Sequence, residues 1–229
     1  MKKKLVVLTG AGISAESGIR TFRDSDGLWE GYDVTEVASP EGWKRNPGLV
    51  LDFYNMRRKQ ALEAMPNAAH TGLAELEQWF DVQIITQNID DLHERGGSSN
   101  VTHLHGEIFK VRSVKSMSPS FEIRGDIKLG DLAEDGGQLR PDIVWFGEAV
   151  PMIEKAIANT RNADLFVVIG TSLVVYPAAG LIDIAPFHSH KFVIDKNIPS
   201  VKHVSNLVTI EKPATEGVKE LAGILRTLL

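Results

Sequence analysis

The sequence predicts an α/β fold: a Rossmann-like parallel sheet domain with a smaller inserted module that has no cysteine zinc site. Three observations carry this. Five short apolar runs, KLVVLTG (4–10), VQIITQN (82–88), LFVVIGTS (165–172), FVIDKN (192–197) and NLVTIEK (206–212), lack polar alternation, as strands buried on both faces do. Helix-like segments, PNAAHTGLAELEQWF (66–80) and VPMIEKAIANTRNA (150–163), fall between several of them, and alternating strand and helix gives a doubly wound sheet. Polar, glycine-containing or acidic residues close the runs, where ligands of such sheets bind. TGAGIS, TQNIDD, GTS and VIDKN all lie at those strand ends.

The first run follows three lysines, and its apolar part, Leu5 to Leu8, is too short for a signal peptide or a membrane span. It reads as the first buried strand. Behind it, Gly10, Gly12 and Ala15 fit G-x-G-x-x-G/A, a turn whose glycines let the backbone approach a pyrophosphate at a helix N-terminus. A strand-to-helix turn without a ligand is the alternative from the turn alone. A dehydrogenase would place an acid at the end of a second strand about 20 residues on. There the chain reads GLWEGYDV, with no strand expected before Glu30 or Asp33, which weighs against hydride transfer. The turn instead runs into Ser17-Gly18 and the polar segment IRTFRD.

Residues 31–65 contain NPGLVLDFYNMRRKQALEAM, a helical pattern with Asn46 as cap and Pro47 in the first turn. Tyr54 and Arg57, three apart, share one face of it. A hydroxyl beside a guanidinium offers a site for a carboxylate, although a surface arginine beside a partly buried tyrosine is the commoner arrangement. Residues 110–138 are polar with short β-like pieces. The expected division is therefore a sheet domain of 1–30, 66–109 and 139–229, with 31–65 and 110–138 forming the small module.

In TQNIDDLH, Gln87, Asn88, Asp90 and Asp91 offer amides and carboxylates to ribose hydroxyls or a carboxamide; a capped helix start is equally consistent with them. In HLHGEIF, His103 and His105 alternate and would face the same way on a strand, which leaves a metal site with Asp or Glu open. His105, before Gly106 at a strand end, is a natural general base near neutral pH. In QLRPDIVWFGE, Trp145 and Phe146 are either core or the lining of a groove for an extended peptide.

The 229 residues, 43% of them hydrophobic, suffice for one good core. A net charge of −5 without a long basic block speaks against nucleic-acid binding. The chain has no cysteine, which excludes disulfides and thiolate zinc sites and suits a reducing compartment. A soluble cytoplasmic protein is expected, so the sequon at Asn100 carries no weight.

Taken together and in this order, GAGISAESGIRTFRD, TQNIDDLH, HGE, LRPDIVWFGE, GTS and the acid-asparagine stretch after FVI resemble the sirtuin family of NAD-dependent protein-lysine deacylases, from residue 9 to about 197. The resemblance implies a phosphate turn that continues into a cofactor loop closing over NAD. It places Gly10, Ala11, Gly12, Ile13, Ser14, Phe22 and Arg23 on the cofactor, with Gly170, Thr171 and Ser172 near its phosphates and ribose. Gln87, Asn88, Ile89 and Asp90 would line the ribose and nicotinamide pocket, and Asp195, Lys196, Asn197 and Ala214 would complete the site. His105 and Asn88 would be catalytic. The acyl oxygen attacks C1′ of the nicotinamide ribose, nicotinamide leaves, and His105 activates a ribose hydroxyl, giving free lysine and O-acyl-ADP-ribose. Val144, Trp145 and Phe146 would contact substrate.

Tyr54 and Arg57 resemble the Y-x-x-R motif of the branch that removes succinyl, malonyl or glutaryl groups. The pair would hold the distal carboxylate, and an acetyl group would leave it unpaired with substrate, making deacetylation a secondary activity. Partners implied are acylated lysine proteins or peptides, with no nucleic acid and no membrane. Most sirtuins hold the small module with zinc on four cysteines; here a cluster of Val111, Val114, Met117, Phe121 and Ile123 is expected to do so, without zinc. A mono-ADP-ribosyltransferase and a non-enzymatic NAD or ADP-ribose sensor are the competing readings.

Overall fold

The computed structural model describes residues 2–20 and 28–228. Among them the strands are β1 (Lys4–Thr9), β2 (Leu28–Trp29), β3 (Tyr32–Asp33), β4 (Asp81–Thr86), β5 (Val101–His103), β6 (Gly106–Ser113), β7 (Ser120–Glu122), β8 (Leu139–Ile143), β9 (Leu165–Ile169), β10 (His190–Ile194) and β11 (Leu207–Ile210). The α-helices are α1 (Val34–Val37), α2 (Pro40–Arg45), α3 (Pro47–Glu63), α4 (Ala68–Glu75), α5 (Leu92–Arg95), α6 (Ile153–Arg161), α7 (Leu181–Ile184) and α8 (Ala214–Arg226).

The five apolar runs become β1, β4, β9, β10 and β11. With β5 added at one edge they form a parallel sheet ordered β11-β10-β9-β1-β4-β5. Alternate residues of each central strand bury on opposite faces. Leu5, Val7, Ile84, Val167 and Ile169 pack with Leu73 of α4 and Leu221 of α8. Val6, Leu8, Ile85, Phe166 and Val168 pack with Ala156 of α6 and Leu181 of α7. That two-sided burial is why the runs show no polar alternation. No helix among the described residues is long and apolar enough to cross a membrane.

The remaining strands, β2, β3, β6, β7 and β8, lie outside the parallel sheet, in two small sheets of their own. β7, β6 and β8 make an antiparallel sheet, and β6 runs unbroken through the division drawn between residues 109 and 110. Its apolar side meets α1 and α3 through Val37, Phe53, Tyr54, Ile108 and Trp145. β2 and β3 form a hairpin whose two-residue turn, Glu30-Gly31, has φ of 54° and 84°, as a primed turn requires. A strand therefore does precede Glu30, contrary to expectation, but it is two residues long and lies outside the parallel sheet.

The cluster expected to replace zinc is different from the one observed. Val111 is buried with Leu51 and Ile127, with Ile123 packed against them, whereas Val114, Met117 and Phe121 are 40%, 56% and 43% exposed. They lie at or near the outer strand β7, whose residues all face solvent. The inner side is closed by polar ties from α3. Asn55 donates to the Ile127 carbonyl and accepts from the Ile127 amide, both at 2.9 Å. Arg58 donates to the Ile108 carbonyl and to Asn55 Oδ1, again at 2.9 Å. Asp135 accepts from Ser113 Oγ and the Gly137 amide at 2.8 Å each.

Candidate active site

The floor of the site is two interlocked turns. The Gly10 amide donates to the Ile169 carbonyl at 3.0 Å and the Gly12 amide to the Gly170 carbonyl at 2.9 Å. A Cβ on Gly12 would stand 2.6 Å from Gly170 Cα, and one on Gly170, whose φ is 65°, 2.5 Å from the Ile13 nitrogen. Only glycine fits on either side. From Ala11 the backbone makes two short 3-10 turns, Ala11–Ile13 and Ala15–Ser17, and stops at Gly18, with φ of 86°, so the turn does not lead into an α-helix. Over this floor, beyond the carboxyl ends of β1, β4, β9 and β10, lies a cavity of about 570 Å³.

Gly10, Ala11, Gly12 and Ser14 line it from the first turn, and Gly170, Thr171 and Ser172 from the second. Gln87 Nε2, also on the wall, donates to Thr171 Oγ1 at 3.1 Å. Asn88, Ile89 and Asp90 follow β4. Asn88 donates to Ser14 Oγ at 3.1 Å, and Ser14 donates to Asp90 Oδ2 at 3.2 Å. Burial pushes the Asp90 carboxyl up, while the Leu92 amide and the Ser14 hydroxyl pull it back. Asp195, Lys196, Asn197 and Ala214 close the cavity beyond β10 and at the start of α8. Ile13 is fully buried in the core beneath the turn, and its carbonyl accepts from Asn67 Nδ2 at 2.8 Å. Phe22 and Arg23 lie outside the described residues.

The two histidines part company. His105 lines the cavity; its Nδ1 is 3.0 Å from the Gln87 carbonyl, which can only accept, so Nδ1 carries the proton and Nε2 keeps its lone pair. Burial holds its pKa below the ordinary histidine value, against the Gln87 hydrogen bond. His103 places Nδ1 at 3.0 Å from the Asn88 carbonyl and Nε2 at 2.8 Å from Glu94. Burial would lower its pKa, but Glu94 outweighs that and raises it. His103 therefore braces the Asn88 backbone, and the two rings do not share a metal site.

At the far end, Tyr54, Arg57, Val144, Trp145 and Phe146 line the same cavity. The Val144 amide donates to the His105 carbonyl and the Phe146 amide to the Ala38 carbonyl, both at 2.9 Å. Trp145 is 2% exposed and Phe146 50%, so one is core and the other a surface of the groove. Arg140 supports them: it grips Glu148 through two bonds of 2.7 and 3.1 Å and lies 3.2 Å from the centre of the Trp145 ring. Glu148 Oε2 also accepts from the Trp145 amide at 2.8 Å. Arg57, 7% exposed, donates to Glu30 at 2.9 Å and to Gln60 at 3.1 Å. The Tyr54 hydroxyl is buried, and burial raises its pKa against the pull of the Trp145 side chain beside it.

Residues 10–177 match the Sir2 family. The chain belongs to that family. It is 55% identical to an NAD-dependent protein deacylase of Helicobacter pylori, with 96% of each chain covered, and 54% identical to one of Bacteroides thetaiotaomicron, covering 97% of this chain and 98% of that one. Among solved structures it superposes on a Sir2 homologue in complex with NAD with a TM-score of 0.88 at 40% identity, covering 99% of this chain and 91% of the other. A Sir2 homologue bound to ADP-ribose gives a TM-score of 0.89 at 39% identity, with 99% and 93% covered.

For a sirtuin, the residues present fit NAD. Glycine turns at strand ends leave backbone close to a pyrophosphate, and the buried Asn88, Ser14 and Asp90 supply the donors and acceptors a ribose and a carboxamide need. The side chains that sequence reading missed are Glu148, on the cavity wall, and Glu30, Gln60 and Arg140, which hold wall residues from behind. The L-R-P-D and F-G-E segments carried a usable signal for Arg140 and Glu148, an arginine and a glutamate flanking the substrate loop. Glu30 was findable only as the turn residue of an aromatic-flanked Glu-Gly hairpin.

Proposed function

We propose that this sirtuin uses NAD to remove acyl groups from protein lysine, with succinyl and malonyl groups preferred and acetyl accepted. The observation that carries it is the free Nε2 of His105 facing the same cavity as the Ser14–Asn88–Asp90 network, the glycine floor and the Tyr54–Arg57 pair. When bound, NAD supplies a ribose carbon made electrophilic by nicotinamide as leaving group. The backbone of the first turn would lie against its phosphates, the Gly10 and Gly12 amides being already given to the Ile169 and Gly170 carbonyls, and Ser14, Asn88 and Asp90 would orient the ribose and the carboxamide. Val144 and Phe146, whose amides donate hydrogen bonds to the His105 and Ala38 carbonyls, align the acyl-lysine strand. His105 Nε2 takes the proton of a ribose hydroxyl; with its pKa held low by burial it stays neutral through the physiological range. Protonation removes the lone pair, so the acid limb of kcat/KM falls below the ordinary histidine value of about 6.5. Arg57 and Tyr54 receive the distal carboxylate of an acidic acyl chain.

Acylated cytoplasmic proteins are the proposed partners, a reading supported by the similarity to NAD-dependent protein deacylases and, for the compartment, by the cysteine-free composition. The test uses purified protein, NAD and matched acetyl-lysine and succinyl-lysine peptides followed by mass spectrometry. Faster loss of succinyl with O-succinyl-ADP-ribose formed supports the whole reading. Loss of acetyl alone keeps deacylation and removes the role given to Tyr54 and Arg57. Loss of neither, with ADP-ribose transferred to protein or NAD merely bound, makes the chain a transferase or a sensor.

A further inference from the structure

Arg57 is an odd guanidinium for a group meant to meet an anion, because it already has one. Its Nη1 donates to Glu30 Oε1 at 2.9 Å and to Gln60 Oε1 at 3.1 Å, and the Glu30 and Arg57 side chains are each only 8% exposed. Glu30 does not drift into this position. It occupies the left-handed turn of the β2–β3 hairpin, and that hairpin is pinned by Trp29, whose ring meets Phe53 at 5.1 Å and lies 5.2 Å from the Arg57 guanidinium. Both acceptors crowd onto one nitrogen. Nε, on the other edge, is buried with no partner, and Arg57 lines the cavity that ends there.

We propose that Glu30 is the resident counter-ion of the acyl pocket and sets how strongly the enzyme prefers acidic over neutral acyl groups. Deepening the function proposed above, the inference rests on Arg57 receiving the acyl carboxylate. With a neutral acyl chain the Glu30–Arg57 pair closes on itself, so the pocket holds no bare buried cation, which would oppose acetyl binding. With an acidic chain, the incoming carboxylate has to take the guanidinium donors that Glu30 and Gln60 leave unused, and it meets a guanidinium whose charge is largely cancelled. Glu30 thus moderates selectivity: it keeps the site open to both classes. Asp90, the next anion acting on Arg57, adds to the same restraint.

Three variants are compared by kcat/KM on succinyl-lysine and acetyl-lysine peptides. Glu30→Gln keeps an acceptor on Nη1 but removes its charge; the succinyl-to-acetyl ratio should rise at least tenfold, through KM, since the distal carboxylate is remote from the reacting carbonyl. Gln60→Glu adds a second anion to the same nitrogen, and the ratio should fall at least threefold. The opposed signs matter, because damage to the fold would depress both substrates together in both variants. Arg57→Met should collapse the ratio. If Arg57→Met lowers it while Glu30→Gln and Gln60→Glu leave it within twofold, Glu30 is a structural partner only and the inference fails. If Arg57→Met also leaves the ratio unchanged, the carboxylate reading of Arg57 fails and the inference with it.

Discussion

The two ends of the cavity are built on different principles. At the nucleotide end the backbone does the placing: two glycine turns interlock, and the polar side chains that follow β4 stand where the strand delivers them. At the end proposed to take the acyl group, polar and charged side chains do it. Arg140 on Glu148, Arg57 on Glu30 and Asn55 on Ile127 hold strands and loops that share little backbone pairing with the large sheet. A backbone-built end is stiff and tolerates almost no substitution. A side-chain-built end can be retuned one charge at a time.

Four substitutions break or sharpen that contrast. His105→Ala should reduce turnover by about 10²–10⁴-fold, the usual worth of a general base, while NAD still raises the melting temperature; unaltered turnover would remove His105 from the chemistry. Gly12→Ala presses a methyl into Gly170, an overpacking cost of about 1–3 kcal/mol, and should abolish the NAD-induced rise in melting temperature. If calorimetry shows normal NAD affinity, the floor is not as rigid as the glycine contact implies. Arg140→Met leaves Glu148 with the Trp145 amide and the more distant Arg112 at 3.7 Å; because Glu148 is also 23% exposed, the loss should be about 2 kcal/mol, below the 3–5 of a fully buried pair. It should also raise the peptide KM with NAD affinity intact, and equal losses for both ligands would erase the distinction between the two ends. Asn55→Ala leaves the Ile127 amide and carbonyl unpaired and should cost about 1–3 kcal/mol, whereas a zinc chelator should leave the melting curve where it was. A chelator-induced shift would show that the module depends on a metal after all.

The same contrast decided what could be read from the sequence. Strands of the large sheet are legible because two buried faces force unbroken runs such as LFVVI, and Gly10, Gly12 and Gly170 stand out because close turns admit nothing else. His105, Asn88 and Asp90 follow from their places after such strands. At the acyl end the same reasoning falters. Val114, Met117 and Phe121 are apolar yet exposed, since a two-layer module this small has no second face to bury them. Glu30 and Arg57 come together from a hairpin turn and a helix, with no periodicity to announce it. The tie of His103 to Glu94 and the Asn88 carbonyl likewise depends on a tertiary approach, so alternation alone misgrouped it with His105.

The contact between Gly12 and Gly170 also limits how such a chain can change over generations. Each position excludes a methyl because of the other's backbone rather than its side chain, so no compensating replacement at one can make room at the other. Ordinary core pairs drift by trading volume; here there is no volume to trade. The nucleotide end therefore leaves little room for change, whereas the side chains around Arg57, such as Glu30 and Gln60, can be replaced without moving a backbone.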